Sequence, residues 1–144
     1  MEHAKFWLEQ LMTAMETEVN EQTRLRLLEA CGRACAGAHV LSALERARTT
    51  LPDVTDLDAV LAKMREWGIG GNPLTREGNH IYGEYDHCYC PMRQEGFITA
   101  PWLCDCTCGW TAAVFETLLG HPVKVRLLQA IGRGDPVCRF EVEV

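Results

Sequence analysis

Eight cysteines in a chain of 144 residues are the feature that most constrains this sequence. Residues 1–5 lack the basic and then apolar order of a secretory signal peptide, and thiols in the cytosol are kept reduced. We therefore expect a cytoplasmic protein whose cysteines serve metal or redox chemistry rather than a disulfide framework. A hydrophobic fraction of 47% and a charged fraction of 24% are typical of globular chains, and the length suits a single domain over residues 1–144.

Charge and hydropathy argue against two classes of partner. The formal net charge is −6, and the basic residues are scattered among acidic ones. Nucleic-acid binding depends on clustered Lys and Arg side chains that displace counterions from phosphate. No apolar run approaches the roughly 18 residues that a membrane-spanning helix needs. We therefore expect neither a nucleic acid nor a membrane as a partner.

Helical patterns fill the N-terminal part, residues 1–68. The expected N-caps are Asn20 and Asp56, and the expected helix ends are Gly37 and the glycine cluster that begins at Gly68. The spacing of apolar residues predicts four helical segments: residues 6–12, 21–36, 40–48 and 57–67.

The cysteine-rich C-terminal part, residues 72–144, shows strand patterns around one further helix. The predicted elements are a strand over 79–85, a loop or hairpin over 91–101, a helix over 109–119, and a closing β-hairpin formed by 123–131 and 137–144. Because helices precede strands instead of alternating with them, we expect an α+β fold. In this fold the N-terminal helices pack on a C-terminal antiparallel sheet, with one long helix before the closing hairpin.

Six cysteines of the C-terminal part are the expected metal ligands: Cys88, Cys90, Cys104, Cys106, Cys108 and Cys138. Cys88 and Cys90 form one group and Cys104–Cys108 another, and successive thiols within each group are two residues apart. Both groups lie just outside the expected regular elements, where the backbone is free to turn several sulfurs toward one point. Thiolates are soft ligands, and four of them satisfy a tetrahedral zinc ion. We expect zinc, with an iron–sulfur cluster as the alternative cofactor. Buried small hydrophobic residues and disulfides are the two simpler interpretations.

Cys31 and Cys35 lie four residues apart on a predicted helix, and therefore on one face of it. They are candidates for metal ligands, for a redox pair or for a catalytic nucleophile, although core packing accounts for them at least as well. His80 and His87 are candidates to replace a thiolate ligand, and Asp86 or Asp105 is a candidate hydrogen-bond partner of a ligand.

The C-terminal part resembles the end of the 4-vinyl-reductase-type domain, which combines a helix with a glycine and aromatic start, a G-(K/R/H)-P-V turn and a closing G-D-x-x-C-x-F hairpin. The matching segments are Gly109–Glu116, Leu119–Val123 and Gly134–Phe140. The resemblance covers residues 79–144. It implies a homodimeric sensing domain that holds a small hydrophobic molecule between its helical and β layers, and the apolar faces of the N-terminal helices also favour a dimer.

The resemblance also implies a zinc site, although this sequence matches only part of the family's ligand set. In aromatic-sensing bacterial regulators with this domain end, zinc is held by a cysteine before the helix, an acid and a cysteine on the penultimate strand, and the cysteine of the closing motif. Cys138 matches the last of these ligands, and one cysteine of Cys104–Cys108 matches the first. The penultimate strand, 123–131, contains neither Cys nor Glu. Cys88 and Cys90 are candidates to supply the missing ligands.

A second resemblance brings in the N-terminal cysteines. With Cys31–Cys35 and Cys88–Pro91 added, the chain is similar to little-characterised bacterial and archaeal proteins related to L-2-amino-thiazoline-4-carboxylic acid hydrolase. This resemblance implies an alternative function as an enzyme. Cys31 or Cys35 would then act as the nucleophile, or a zinc ion with an open position would activate water.

Overall fold

Four helices form the first half of the chain in a computed structural model that describes residues 1–144. Asn20 caps α2 by accepting a hydrogen bond from the Thr23 amide at 2.8 Å, and Asp56 caps α4 through the Ala59 amide at 3.2 Å. Gly68 ends α4 with a φ of 72°. The sequence predicted both caps and this end. The helices are α1 (Glu2–Glu18), α2 (Glu21–His39), α3 (Leu41–Arg48) and α4 (Leu57–Trp67).

The second half combines a four-stranded sheet with one long helix. Two short 3-10 helices, Pro101–Asp105 and Ile131–Arg133, flank this helix and the strand that follows it. All strand pairs are antiparallel, in the order β1-β2-β4-β3, which confirms the α+β architecture. The elements are β1 (Leu74–Glu77), β2 (His80–Tyr85), α5 (Pro91–Gln94), α6 (Cys106–Leu119), β3 (Lys124–Gln129) and β4 (Cys138–Glu143).

Three expectations about local structure are wrong. Helix α2 does not end at Gly37 but continues to His39, because Gly37 lacks the positive φ that would end a helix. Residues 91–101, expected to form a loop or hairpin, begin with the short helix α5 and continue as a loop, so only the hairpin alternative and the missing helix are errors. Helix α6 starts at Cys106, so Cys106 and Cys108 lie on its first turn and not outside regular structure.

The main core lies between α6 and the sheet. Phe115 of α6 and Phe140 of β4 are 0% and 1% exposed, and their rings meet edge to face with centroids 6.3 Å apart. Ile81 and Val142 of the two neighbouring strands are fully buried beside them. The helix therefore covers one face of the sheet and leaves little space between the two layers.

A second apolar cluster attaches the cysteine-rich segment to the N-terminal helices. Its members come from α1, α2 and residues 98–103. Cys90 and Cys106 pack against it. Two of the eight thiols are thereby held beside the helical layer. The buried residues of this cluster are Met12, Leu28, Ile98, Trp102 and Leu103.

Helices α2 and α6 cross with their backbones in contact. A Cβ atom on Gly32 would overlap the carbonyl oxygen of Cys106 and lie 2.8 Å from the Trp110 amide nitrogen. A Cβ atom on Gly109 would lie 2.7 Å from the carbonyl carbon of Glu29. Only glycine, which has no Cβ, allows this approach. The crossing therefore depends on one glycine from each helix.

An ion pair stands beside the same crossing. The Arg33 guanidinium of α2 donates to the Glu116 carboxylate of α6 at 2.6 Å and to Glu29 at 3.1 Å. Glu116 also accepts a hydrogen bond from the Val123 amide at 3.2 Å. These bonds, led by that from Arg33, lower the pKa of Glu116. Glu116 thereby links α6 both to α2 and to the start of the hairpin.

The outer face of α1 exposes large apolar side chains. Phe6 and Trp7 are 61% and 56% exposed, and Leu11 lies beside them on the helix. Such a face is compatible with the expected homodimer, which stays a prediction. No helix of the structure combines the length and the apolar character that crossing a membrane would take.

Candidate functional site

All eight cysteines are free thiols, and their surroundings divide them into three groups. We call the first group, beside the turn before β4, the hairpin thiols (Cys88, Cys104 and Cys138). We call the second group, beside the α2–α6 crossing, the crossing thiols (Cys31, Cys35, Cys90 and Cys106). The third group is Cys108 alone.

Two of the hairpin thiols meet the turn between β3 and β4. The Cys138 sulfur lies 3.3 Å from the Ile131 amide nitrogen, which donates a hydrogen bond to it. The Cys104 sulfur and the Arg93 guanidinium would each lie 2.5 Å from a Cβ atom on Gly132. The absence of a side chain at Gly132 therefore makes room for a thiol and a cation at the same turn.

Arg93 places a positive charge among the hairpin thiols. Its guanidinium donates to the Ala100 carbonyl at 2.8 Å and to the Cys104 sulfur at 3.6 Å, while its Nε is buried without a partner. Burial raises the pKa of Cys104, the Arg93 charge opposes this, and the nearby Cys138 and Cys88 thiols add to the rise. Cys88 and Cys138 therefore each lie within electrostatic reach of Cys104.

The crossing thiols gather around Cys106. Burial, followed by the neighbouring thiols of Cys90, Cys104, Cys35 and Cys31, raises the pKa of Cys106 to about 12. At neutral pH this sulfur is therefore a protonated thiol. The two cysteines of α2 are exposed, whereas Cys90 and Cys106 are half-buried.

Cys108 lies apart from the other thiols, in a groove between α2, α6 and β3. Burial raises the pKa of Cys108, the Asp105 carboxylate adds to the rise, and a hydrogen bond with the Leu127 backbone opposes it. The groove has a volume of about 240 Å³. It is lined by Glu29, Cys108, Ala112, Val123, Lys124 and Val125.

The interior between α6 and the sheet is far smaller than this groove. The cavity beside Tyr85, Trp110 and Phe140 measures about 20 Å³, close to the space of a single water molecule. Small-molecule sites usually measure roughly 300–1,000 Å³. As the chain stands, a ligand has room at the groove and not between the layers, where the sequence predicted it.

The thiols do not form a ready metal site. No group of three or more His, Cys, Asp or Glu side chains is placed to hold a metal ion. The six predicted ligands are distributed over all three groups, and Cys108 faces the groove instead of another thiol. Zinc and the iron–sulfur alternative therefore stay predictions.

The other sequence candidates lie beside other groups. His87 lies on the surface with its Nδ1 2.7 Å from the Asp86 carboxylate. The His80 Nδ1 is buried without a hydrogen-bond partner and lies 3.7 Å from the Glu141 carboxylate. Asp105 forms an ion pair with Arg133. None of these three contacts involves a thiol.

Sequence reasoning missed Arg93 and the two charged residues that line the groove, Glu29 and Lys124. Arg93 is the only basic residue between Cys90 and Cys104, and that position is the signal from which it could have been found. Glu29 and Lys124 lie far apart in sequence and carry no such signal.

The solved structures that are similar to this chain include the following two. The phenol-responsive sensory domain of the transcription activator PoxR, solved with phenol, aligns at a TM-score of 0.57 and 17% identity over 98% of this chain and 74% of that one. Trafficking protein particle complex subunit 3 from Naegleria fowleri, covalently bound to palmitic acid, aligns at a TM-score of 0.59 and 10% identity over 98% and 94% of the two chains. At these identities the likeness is one of fold alone.

The family assignment rests on sequence. No curated protein matches the chain, and the resemblance to the 4-vinyl-reductase-type domain stays a prediction. The profile of DUF6144 matches residues 1–143, and the chain therefore belongs to this family of unknown function.

Proposed function

We propose that this protein is a sensing domain that binds a small, largely apolar molecule in the groove between α2, α6 and β3. The observation that carries the proposal is the groove itself, whose lining combines apolar side chains with one acidic and one basic residue. Ala112, Val123 and Val125 offer apolar contact, while Glu29 and Lys124 can orient one polar end of a ligand. This combination is typical of small-molecule sites.

The size of the groove favours a compact ligand. The two proteins of similar fold hold phenol and palmitic acid, each an apolar body with one oxygen-bearing end. A volume of about 240 Å³ lies just below the usual range of roughly 300–1,000 Å³. It suits a single ring better than a long acyl chain. Phenol is therefore the first probe, and palmitic acid is the second.

Phenol should bind with a Kd of roughly 1 mM to 1 μM, because so few atoms limit the free energy of binding. Val125→Trp, which fills the groove, should weaken binding at least about tenfold, whereas Leu128→Trp on the same strand should leave it unchanged. Leu128 is 40% exposed and does not line the groove. Isothermal titration calorimetry measures the Kd of phenol for each variant. Equal binding by the two variants would place the ligand elsewhere, and no binding of either probe would contradict the sensing function.

We also propose that the hairpin thiols hold a zinc ion, with Cys90 as the fourth ligand. Cys104 and Cys138 meet at one turn. Cys88 lies within electrostatic reach of Cys104, and Cys90 lies two residues from Cys88. Since no three side chains are placed to hold a metal as the chain stands, this ligand set requires side-chain rotation. The charge of Arg93 would help to balance the four thiolates.

Elemental analysis of protein purified without added metal should find about one zinc per chain. Cys138→Ser should lower the zinc content, and Cys108→Ser, whose sulfur faces the groove, should retain it. Iron with a broad visible absorption band would favour the iron–sulfur alternative instead. A protein without metal would contradict both. An enzymatic role for Cys31 or Cys35 stays a prediction.

A further inference from the structure

β3 is an outer strand of the sheet and pairs with β4 on one side only. In an antiparallel strand, the N–H and C=O groups of successive residues point to alternate sides. The Val144 amide donates to the Asn79 carbonyl at 3.0 Å, on the β2 side, so Val142, two residues earlier, also points its backbone groups toward β2. Val125 lies opposite Val142 on β3 and therefore has no backbone hydrogen bond to β4.

The N–H and C=O groups of Val125 instead point to the open edge of β3. The Val123 amide donates to the Glu116 carboxylate of α6 at 3.2 Å, away from β4. Val125 follows Val123 by two residues and so points the same way. Neither a loop nor a side chain of the protein hydrogen-bonds to the backbone of Val125. One donor and one acceptor are therefore free to bind another molecule.

The side chains of α6 explain why only Val125 is left free on this edge. Cys108, Ala112 and Glu116 are spaced four residues apart and therefore lie on one face of the helix. Glu116 and Cys108 accept hydrogen bonds from the backbone two residues before and two residues after Val125. Ala112, between them, has only a methyl group and can accept none. The groove opens here, and both Ala112 and Val125 line it.

We propose that the Val125 N–H and C=O groups bind the polar end of the ligand, and that this end is a carboxamide or a lactam. Such a group carries an acceptor oxygen beside a donor N–H and so meets the donor and the acceptor of Val125 with separate atoms. The single oxygen of phenol has to serve both. The apolar body of the ligand lies against Ala112 and Val123. This inference rests on the proposed sensing function and names the class of its ligand.

A small ligand fits this edge better than a peptide does. A peptide that adds a strand to a sheet needs several free backbone groups along the edge. On β3 the positions two residues before and after Val125 are already bonded to α6. The open edge therefore offers one residue, which is the length of one carboxamide.

The first test is an NMR titration of the isotope-labelled full chain with benzamide. In the free protein, the Val125 amide should exchange with solvent faster than the amide of Arg126, which lies opposite Glu141 and points to β4. Benzamide should shift the Val125 amide resonance and slow its exchange. An unshifted Val125 amide at saturating benzamide, or slow exchange in the free protein, would overturn the proposal.

A pair of substitutions separates the backbone N–H from the side chain. Val125→Pro removes the N–H group, and an edge strand tolerates proline where that group points away from the sheet. It should weaken benzamide binding about tenfold, because the ligand oxygen loses its donor, and toluene binding by less than about twofold. Val125→Ala is the matched control, which keeps the N–H group and should weaken both ligands by similar factors. Circular dichroism checks that both variants fold. Equal losses of the two ligands in Val125→Pro would contradict the proposal.

Failure of this inference and failure of the sensing function give different results. If phenol binds in the groove and benzamide does not, the sensing function stands and the carboxamide assignment is wrong. If neither phenol nor benzamide binds, both the sensing function and the assignment are wrong.

Discussion

Gly32→Ala should destabilise the protein by about 3 kcal/mol, at the upper end of the usual cost of overpacking. The added Cβ would meet only backbone atoms, those of Cys106 and Trp110, which cannot rotate away as a side chain can. The helices would have to separate along the crossing. Urea denaturation followed by circular dichroism measures the decrease in the free energy of unfolding.

Gly37→Ala is the matched control on the same helix. A Cβ at this position meets nothing within 4 Å, and the φ of Gly37 is not positive. Alanine there should stabilise the protein by roughly 0.5–1 kcal/mol, because it restricts the unfolded chain and favours a helix. Changes of opposite sign in the free energy of unfolding of the two variants would support the close crossing of α2 and α6. Similar changes in both variants would contradict it.

Phe115→Ala should cost about 3–5 kcal/mol, the usual range for removing a buried aromatic side chain from a core. Phe115 is fully buried, and its ring contacts that of Phe140 across the layers. A loss of this size is a large fraction of the stability of a domain. The same denaturation experiment measures it, with a lowered midpoint as the expected result.

Phe6→Ala is the control for this substitution, since Phe6 is 61% exposed on α1. Its effect should remain within about 0.5 kcal/mol, as for most surface substitutions. A loss at Phe6 that grows with protein concentration would instead indicate the expected homodimer. Equal losses at both positions and at every concentration would contradict the placement of the core.

Local signals explain which elements the sequence predicted. Asn20, Asp56 and Gly68 each act on the backbone within a few residues, so their roles can be recognised in the sequence. Strand β1 was missed because only Leu74 of its four residues is buried, which leaves no alternation of apolar and polar residues. The start of α6 was missed because Cys106 and Cys108 carry no capping signal.

The sequence predicted the kinds of residue that form the site but not their arrangement in space. The density of cysteines indicated soft-ligand or redox chemistry, but which thiols become neighbours depends on the α2–α6 crossing. That crossing is set by Gly32 and Gly109, which are far apart in sequence and show no pattern that relates them. The groove likewise exists only once α2 and β3 flank α6, so neither Glu29 nor Lys124 could be assigned to it beforehand.

The strand order has a consequence for how the chain is made. Strand β4, the last of the four strands in sequence, lies between β2 and β3. Until residues 138–143 have emerged, β2 and β3 have no partner on their inner edges, and Ile81 lacks the neighbours that bury it. Until then, the nascent chain presents apolar surface and open strand edges, which is the kind of surface that chaperones protect. The sheet is for this reason expected to be completed only once β4 has been synthesised.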